Sequence, residues 1–317
     1  MIKLNQWAQD WFNRAGKGRP DTALYVDLDD LMGIRRYAEL IKYRGVKRAQ
    51  GVDSGDIKSA FRGRGVEMEE IREYAFGDDV RDIDWRITAR KSVPYTKVYE
   101  EERNREVWAW LDLSPLMTFG SKKELKSVTA AKLTALLGWV SMYNKDRFGC
   151  VIFDGQNNWL FKPQRHKGYM AAICHKIAQV GRSALENSVN DETKRLNSLK
   201  LLQASMRRGA GVFIISSLKF WDEQYYKEFA QLAKLAQLYL MNIYDVLEEK
   251  APLTGQYLAE YDGERVLINT ENKKYRQEYA KYFHNKGVEW LQQCRKIGCH
   301  IIDLTQETDL SKALKIF

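Results

Sequence analysis

The sequence predicts an α/β fold: a three-layer, doubly wound, mostly parallel sheet of Rossmann-like type, with an N-terminal α+β, loop-rich extension and a late β-hairpin insertion. Three observations predict it. After about residue 104, short apolar runs alternate with longer amphipathic stretches, the pattern of strands joined by crossover helices. Most of the short runs are apolar throughout, as strands covered on both faces must be. Before residue 104 apolar residues are sparse and glycines, arginines and acids dominate, so the chain is expected to divide into 1–104 and 105–317.

Taken in order, the first hundred residues open with a helix carrying Trp7, Trp11 and Phe12, followed by a second around Leu28–Tyr43 and then by extended pieces between loops. The expected strands of the main sheet are Val107–Leu113, Gly149–Phe153, Trp159–Phe161, Val212–Ser216, Leu238–Tyr244 and Cys299–Leu304. Between them fall helices over Lys122–Tyr143, Gly168–Val180, Thr193–Arg208, Trp221–Ala236 and Lys273–Ile297. The first of these is expected to be amphipathic, with Leu125, Val128, Leu133, Leu136, Leu137 and Val140 on one stripe. The stretch GQYLAEYDGERVLINT, centred on Asp262-Gly263, reads as a hairpin inserted before the last long helix.

The chain has 317 residues, 44% hydrophobic and 29% charged, enough for a substantial core. Its longest uncharged stretch, Leu133 to Asn144, is far short of the roughly 18 residues of a membrane-spanning helix. Charges interrupt the N-terminal region where a secretory signal would need an apolar core, so no membrane span and a cytoplasmic location are expected. The four cysteines form no C-x-x-C pair and are expected to be free thiols. The net charge of +9 is unevenly placed. Arg35 to Arg64 carries nine Lys/Arg against three acids, and Glu67 to Asp84 carries eight acids against two Arg, so the blocks can neutralise one another. No reader motif accompanies the charge, and no nucleic-acid partner is expected. P-loop, dinucleotide and Ser-elbow motifs are all missing, which removes ATP hydrolysis from this chain's own repertoire.

Two segments bear on chemistry. The first strand of the main sheet ends in L-D-L-S-P-L-M-T-F-G-S, which puts Asp112 and Ser114 where open parallel sheets bind ligands. An Asp-x-Ser-x-Ser loop at that place resembles the metal-ion-dependent adhesion site of von Willebrand factor A domains. Such a site needs hard oxygen donors at about 2.0–2.1 Å from Mg²⁺ or Mn²⁺. Here the third position is Leu116, and Ser217 takes the later strand-end place of an Asp. Asp112 and Ser114 are the metal candidates that remain, binding is expected to be weak or absent, and no other cofactor is expected. The second segment runs G63-R-G65-x-E67 through R72-E-Y74, G77-D78, R81-D-I-D84-W85 and on to R90. Glu67, Asp78 or Asp84 are imaginable as general acids or bases. The preferred reading is architectural: a lattice of ion pairs and hydrogen bonds, Arg81 and Asp84 among its members, packed around Tyr74 and Trp85.

These residues, with LDLSP and the C-terminal run from Ile243 onward, closely resemble the family called domain of unknown function 58, in its soluble short form. The resemblance implies a von Willebrand factor A-like fold and an association with MoxR-type AAA+ ATPases. Under it Gly63, Gly65, Glu67, Arg72, Tyr74, Gly77, Asp78, Arg81, Asp84, Trp85 and Arg90 are structural motif residues, and Arg276 and Tyr279 mark the last long helix. The function it implies is that of a non-enzymatic interaction protein working with such an ATPase and its client proteins. Contact is expected at a strand-end rim of Asp112, Ser114, Met117, Thr118, Ser217 and Trp221. The competing reading is a metal-assisted phosphohydrolase that uses Asp112. Trp221, Tyr225 and Tyr226 are equally readable as a contact patch or as core.

Overall fold

The computed structural model describes residues 23–39, 41, 66–75, 80–101, 105–186, 189–252, 254–261 and 264–314. In chain order the elements are α1 (Leu28–Gly33), α2 (Arg35–Ala38), β1 (Val66–Glu73), α3 (Trp85–Lys91), β2 (Tyr95–Glu101), β3 (Glu106–Asp112), α4 (Lys126–Tyr143), β4 (Arg147–Phe153), β5 (Asn158–Gln164), α5 (Lys167–Ser183), α6 (Glu192–Ser205), β6 (Gly211–Ser216), α7 (Glu223–Leu235), β7 (Gln237–Ile243), α8 (Val246–Glu249), β8 (Gln256–Tyr261), β9 (Glu264–Asn269), α9 (Lys273–Ile297), β10 (His300–Leu304) and α10 (Leu310–Ala313).

The main sheet has the order β10-β7-β6-β3-β4-β5, parallel except for the antiparallel edge strand β5. From β3 the chain winds outward through β4 and β5, then returns to β6 on the other side, so strand order reverses between β3 and β6. This is the doubly wound α/β fold the sequence predicts. Successive residues of β3 feed opposite layers. Val107, Ala109 and Leu111 join one core with α4 and α5, while Trp108 and Trp110 join the other with α6, α7 and α9. All seven residues of β3 are buried, which is why the run carries no polar alternation.

Helix α4 departs from the expected amphipathic stripe. Every residue from Lys126 to Ser141 is buried, so the helix is covered all round. Its outer face lies under α1 and α2, whose Leu31, Ile34 and Ala38 are fully buried in the same core. Trp139 Nε1 donates to the Leu31 carbonyl at 3.1 Å, and the Arg35 guanidinium stands 5.7 Å from the Trp139 ring. Residues 23–39 and 41 therefore belong with the sheet. The second compact unit is Arg48–Asn104 and not the whole of 1–104. The expected helix over Leu28–Tyr43 is two short helices that meet at Ile34. The opening helix with Trp7, Trp11 and Phe12 lies outside the described residues.

Within Arg48–Asn104, β1 pairs antiparallel with β2, with a register shift between Met68 and Glu70. Asp84 caps α3: its carboxylate accepts from Arg86 N at 3.0 Å and Ile87 N at 3.2 Å, a contribution of about 1 kcal/mol. The Asp84 amide donates to Tyr95 O at 2.8 Å, and Tyr95 N donates to Thr88 Oγ1 at 3.0 Å, tying the cap to β2. The expected packing centre is corrected here: Trp85 is 66% exposed and Arg81 is exposed, while Asp84 works as a half-buried cap. A short helix capped by its own preceding residue needs no apolar partner for its first side chain. Tyr74 is half-buried and Arg72 and Arg90 are exposed. Glu67 lies in β1, and Gly63, Gly65, Gly77 and Asp78 fall outside the described residues. The late hairpin is β8 paired with β9, in register from Gln256 opposite Asn269 to Tyr261 opposite Glu264; its central residues 262–263 also lie outside the description.

Candidate functional site

Asp112 ends β3 at the point where strand order reverses. Its Oδ1 accepts the Ser114 amide at 2.9 Å, which turns the chain out of the sheet, and its Oδ2 accepts the Ser216 hydroxyl at 2.6 Å across to β6. Pro115–Met117 then forms a 3₁₀ turn, closed by Thr118 Oγ1 donating to Pro115 O at 2.9 Å. The β4–β5 turn presses on this loop. Gly155 has φ +100°, and a Cβ there would meet the Val189 carbonyl at 2.3 Å, so only glycine permits the approach.

A buried cation stands beside this loop. Arg195 of α6 is fully buried, and its Nη2 donates to Ser114 Oγ at 3.2 Å and to Asn190 Oδ1. Its guanidinium lies 4.8 Å from the Phe220 ring and 5.5 Å from the Phe153 ring, so aromatic faces supply much of its solvation. Leu116 packs against the same core as Trp108 and Trp110. Each Asp112 oxygen thus already accepts one hydrogen bond, the Ser114 hydroxyl faces a guanidinium, and the third position of the loop, Leu116, offers no oxygen. On the neighbouring strand it is Ser216 that reaches Asp112, while the hydroxyl of the following Ser217 makes no hydrogen bond among the described residues. Titration with Mn²⁺ is expected to show no saturable binding in the micromolar range. Asp112→Ala should leave that trace flat and lower stability by about 1–3 kcal/mol, because two buried donors lose their acceptor. Tight binding abolished by Asp112→Ala would show that the loop reorganises around a cation.

Next to Asp112 lies a second buried polar cluster. Asp245, the N-cap of α8, accepts from Ser121 N at 2.7 Å, Ser121 Oγ at 2.6 Å, Leu247 N at 2.8 Å and Gln306 Nε2 at 2.9 Å. Burial pushes its carboxyl up, and these four donors more than reverse that, leaving it below the ordinary value. Glu248 completes a capping box with Asp245 and accepts Lys126 Nζ at 2.8 Å and Lys219 Nζ at 2.6 Å. Its pKa too is lowered: burial acts upward, and the two cations outweigh it. Lys126, the first residue of α4, is fully buried at the end of a helix that repels cations. Burial lowers its pKa, with Glu248 opposing and Asp112 adding a smaller opposition.

Residues 70–289 match the family described as protein of unknown function DUF58, more than half of the chain. This chain belongs to that family. Uncharacterized proteins of Mycobacterium tuberculosis (strain ATCC 25618 / H37Rv) and Mycobacterium bovis are each 33% identical to it over 142 residues, 43% of this chain and 43% of theirs. The match thus spans less than half the length of these curated relatives. Among solved structures, BatB from Bacteroides thetaiotaomicron overlaps 67% of this chain and 96% of its own at 17% identity and a TM-score of 0.43. The SpRpn10 VWA domain overlaps 66% and 93% at 12% identity and a TM-score of 0.37.

In this DUF58 protein the expected rim residues are mostly interior. Asp112, Ser114, Met117 and Ser217 are buried, Trp221 is 8% exposed, and only Thr118 is half-buried. Trp221 packs edge-on to Phe229 at 5.1 Å and stacks on Trp290 at 6.1 Å, and Tyr225 is buried beside it, so this aromatic cluster is core. A fully buried Asp112 also lacks the access a phosphohydrolase nucleophile needs. The rim's exposed aromatic is Phe119, 44% exposed, which the sequence reading passed over although it directly follows Thr118. Arg195, Ser216, Asp245, Glu248, Lys126 and Lys219 were missed too. Of these only Asp245-x-x-Glu248 carries a local signal, the spacing of a capping box. Among the described residues no group of three or more His, Cys, Asp or Glu is placed to hold a metal, and no helix is long and apolar enough to cross a membrane.

Proposed function

We propose that this chain is a non-enzymatic interaction protein that works in the cytoplasm with a MoxR-type AAA+ ATPase in the maturation or assembly of client proteins. The observation that carries the reading is the state of Asp112: it stands at the sheet's ligand-binding end, yet is closed by Ser114 and Ser216 and backed by the buried Arg195. That arrangement holds the loop in place and leaves no solvent-accessible nucleophile at Asp112. Affinity then comes from shape and an aromatic anchor at the rim, where Phe119 is an exposed aromatic residue.

Capture of a purified MoxR-type ATPase by the immobilised full chain, with and without ATP, tests this directly. Phe119→Ala is expected to weaken capture about tenfold or more, Thr118→Arg to do the same, and EDTA to change nothing in the nucleotide-free arm. Capture lost in EDTA without nucleotide would restore a metal-dependent contact. Failure to capture the ATPase in either state would remove the proposed partner.

A further inference from the structure

Between the carboxyl ends of β6, β7 and β10 and the face of α9 lies a cavity of about 450 Å³. Its sheet side includes Ser217, Trp221 and Asn242, and its helix side includes Tyr279, Phe283 and Trp290. The size is that of a small-ligand or side-chain pocket, and the position is the one where doubly wound sheets bind ligands. Three polar atoms of the lining residues, Ser217 Oγ, Trp221 Nε1 and Asn242 Oδ1, make no hydrogen bond among the described residues, although each residue is more than nine-tenths buried. Buried polar groups are nearly always paired, so three orphans around one cavity point to an outside partner. The backbone adds a further sign: Leu218, between two lining residues, is held at φ +47°, a strained conformation of the kind that collects at binding loops.

The charges around the cavity are already engaged. Lys219 pairs with Glu248 at 2.6 Å, Lys286 with Glu289 at 3.1 Å, and Asp303 accepts Asn242 Nδ2 at 2.7 Å. What remains unpaired is neutral: one indole donor, one amide acceptor and the hydroxyls of Ser217, Tyr244 and Tyr282, which serve either way. Their complement is an amide, which offers an acceptor and a donor together, and the aromatic lining suits a ring beside it. A phosphate or carboxylate would find no free cation among these lining pairs.

We propose that this cavity captures an aromatic side chain with its adjoining backbone amide from a partner polypeptide, a proposal that rests on the reading of the chain as an interaction protein. Gly287, inside the 25-residue α9, lines the cavity, and a Cβ there meets nothing within 4 Å. Glycine in a helix interior is unfavourable relative to other residues, and here it leaves the pocket unfilled. Tyr282, which is 68% exposed, lines the opening to solvent.

The test is ligand-observed saturation-transfer NMR on the full chain, with N-acetyl-L-tryptophanamide as the probe and adenosine and indole-3-acetate as comparisons. The parent protein is expected to bind the amide saturably in the millimolar range and to bind adenosine and the charged indole about tenfold more weakly or not at all. Gly287→Leu should weaken amide binding about tenfold with no fall in melting temperature, Gly287→Ala should stay within about twofold, and Ser217→Ala should fall between them. No saturable amide binding, equal binding by Gly287→Leu, or preference for adenosine or the charged indole would each overturn the proposal. ATPase capture by the same variants separates the two readings. If Gly287→Leu loses the amide but captures the ATPase as the parent does, the pocket is not the contact and the interaction reading survives. If the amide binds as described and the parent captures no ATPase, the pocket stands and the proposed partner falls.

Discussion

Glu248→Ala is expected to destabilise the protein by about 3–5 kcal/mol, the largest effect of any single change at the strand ends. The pair it breaks is buried on both sides: the Lys126 side chain is 0% exposed and that of Glu248 is 10% exposed. Lys219 is half exposed and turns to water when its partner goes, but Lys126 has no such escape, because α4 is covered on every side. The cost is therefore the desolvation of a stranded ammonium at a helix N-terminus. Replacing both members, Glu248→Leu with Lys126→Met, should recover most of the loss, since a well-packed apolar pair removes the charge along with its need for a partner. The pH dependence has a definite sign. The folded pKa of Glu248 lies below its ordinary 4.5 and that of Asp245 below 3.8. The stability they contribute is thus complete above those ordinary values and is lost as pH falls through the lowered ones. Chemical denaturation from pH 7 into acid should show the parent losing stability more steeply than Glu248→Ala, so that the two curves converge. Parallel curves would mean that Glu248 is not ionised against Lys126 in the folded state.

Trp221→Ala is expected to cost about 3 kcal/mol, the lower end of the range for truncating a large buried aromatic. Its ring contacts both Phe229 of α7 and Trp290 of α9, so removal loosens the junction of two helices and the sheet. The cost stays at the low end because the residue also borders an existing cavity and less close-packed contact is lost. A melt of the variant, set beside one of Phe119→Ala, checks this. Phe119 is 44% exposed and should lose well under 1 kcal/mol when truncated. A Trp221→Ala protein that melts with the parent would return this residue to the surface role first expected of it.

The strands and long helices of the main domain were legible because burial writes itself into periodicity. A parallel strand under helices on both faces must be apolar at every position, and FGCVIF, VFIIS and LYLMNI have no other good home. The bounds of α9 at Lys273 and Ile297 were legible because Asn272 caps one end and Gly298, at φ +73°, closes the other. Asp112 stood out because a carboxylate directly after such a run marks a strand's carboxyl end. What surrounds Asp112 was not legible. Arg195 reaches Ser114 from 81 positions away, and Lys126 reaches Glu248 from 122. Neither pairing has a local signature, because it exists only once α6 and α8 have docked. The same limit explains Trp221, Trp85 and α4. A sequence shows that an aromatic ring or a helix face must be satisfied, but which neighbour covers it depends on the packing of elements distant in the chain. So the sequence by itself determined the doubly wound sheet, its order of strands and helices along the chain, and the strand end that carries the site. Tertiary structure alone decided that this end is closed by a guanidinium and a buried ion pair, that its expected contact residues lie inside, and that the first short helices roof α4, because each depends on contacts between segments whose separation no local pattern records.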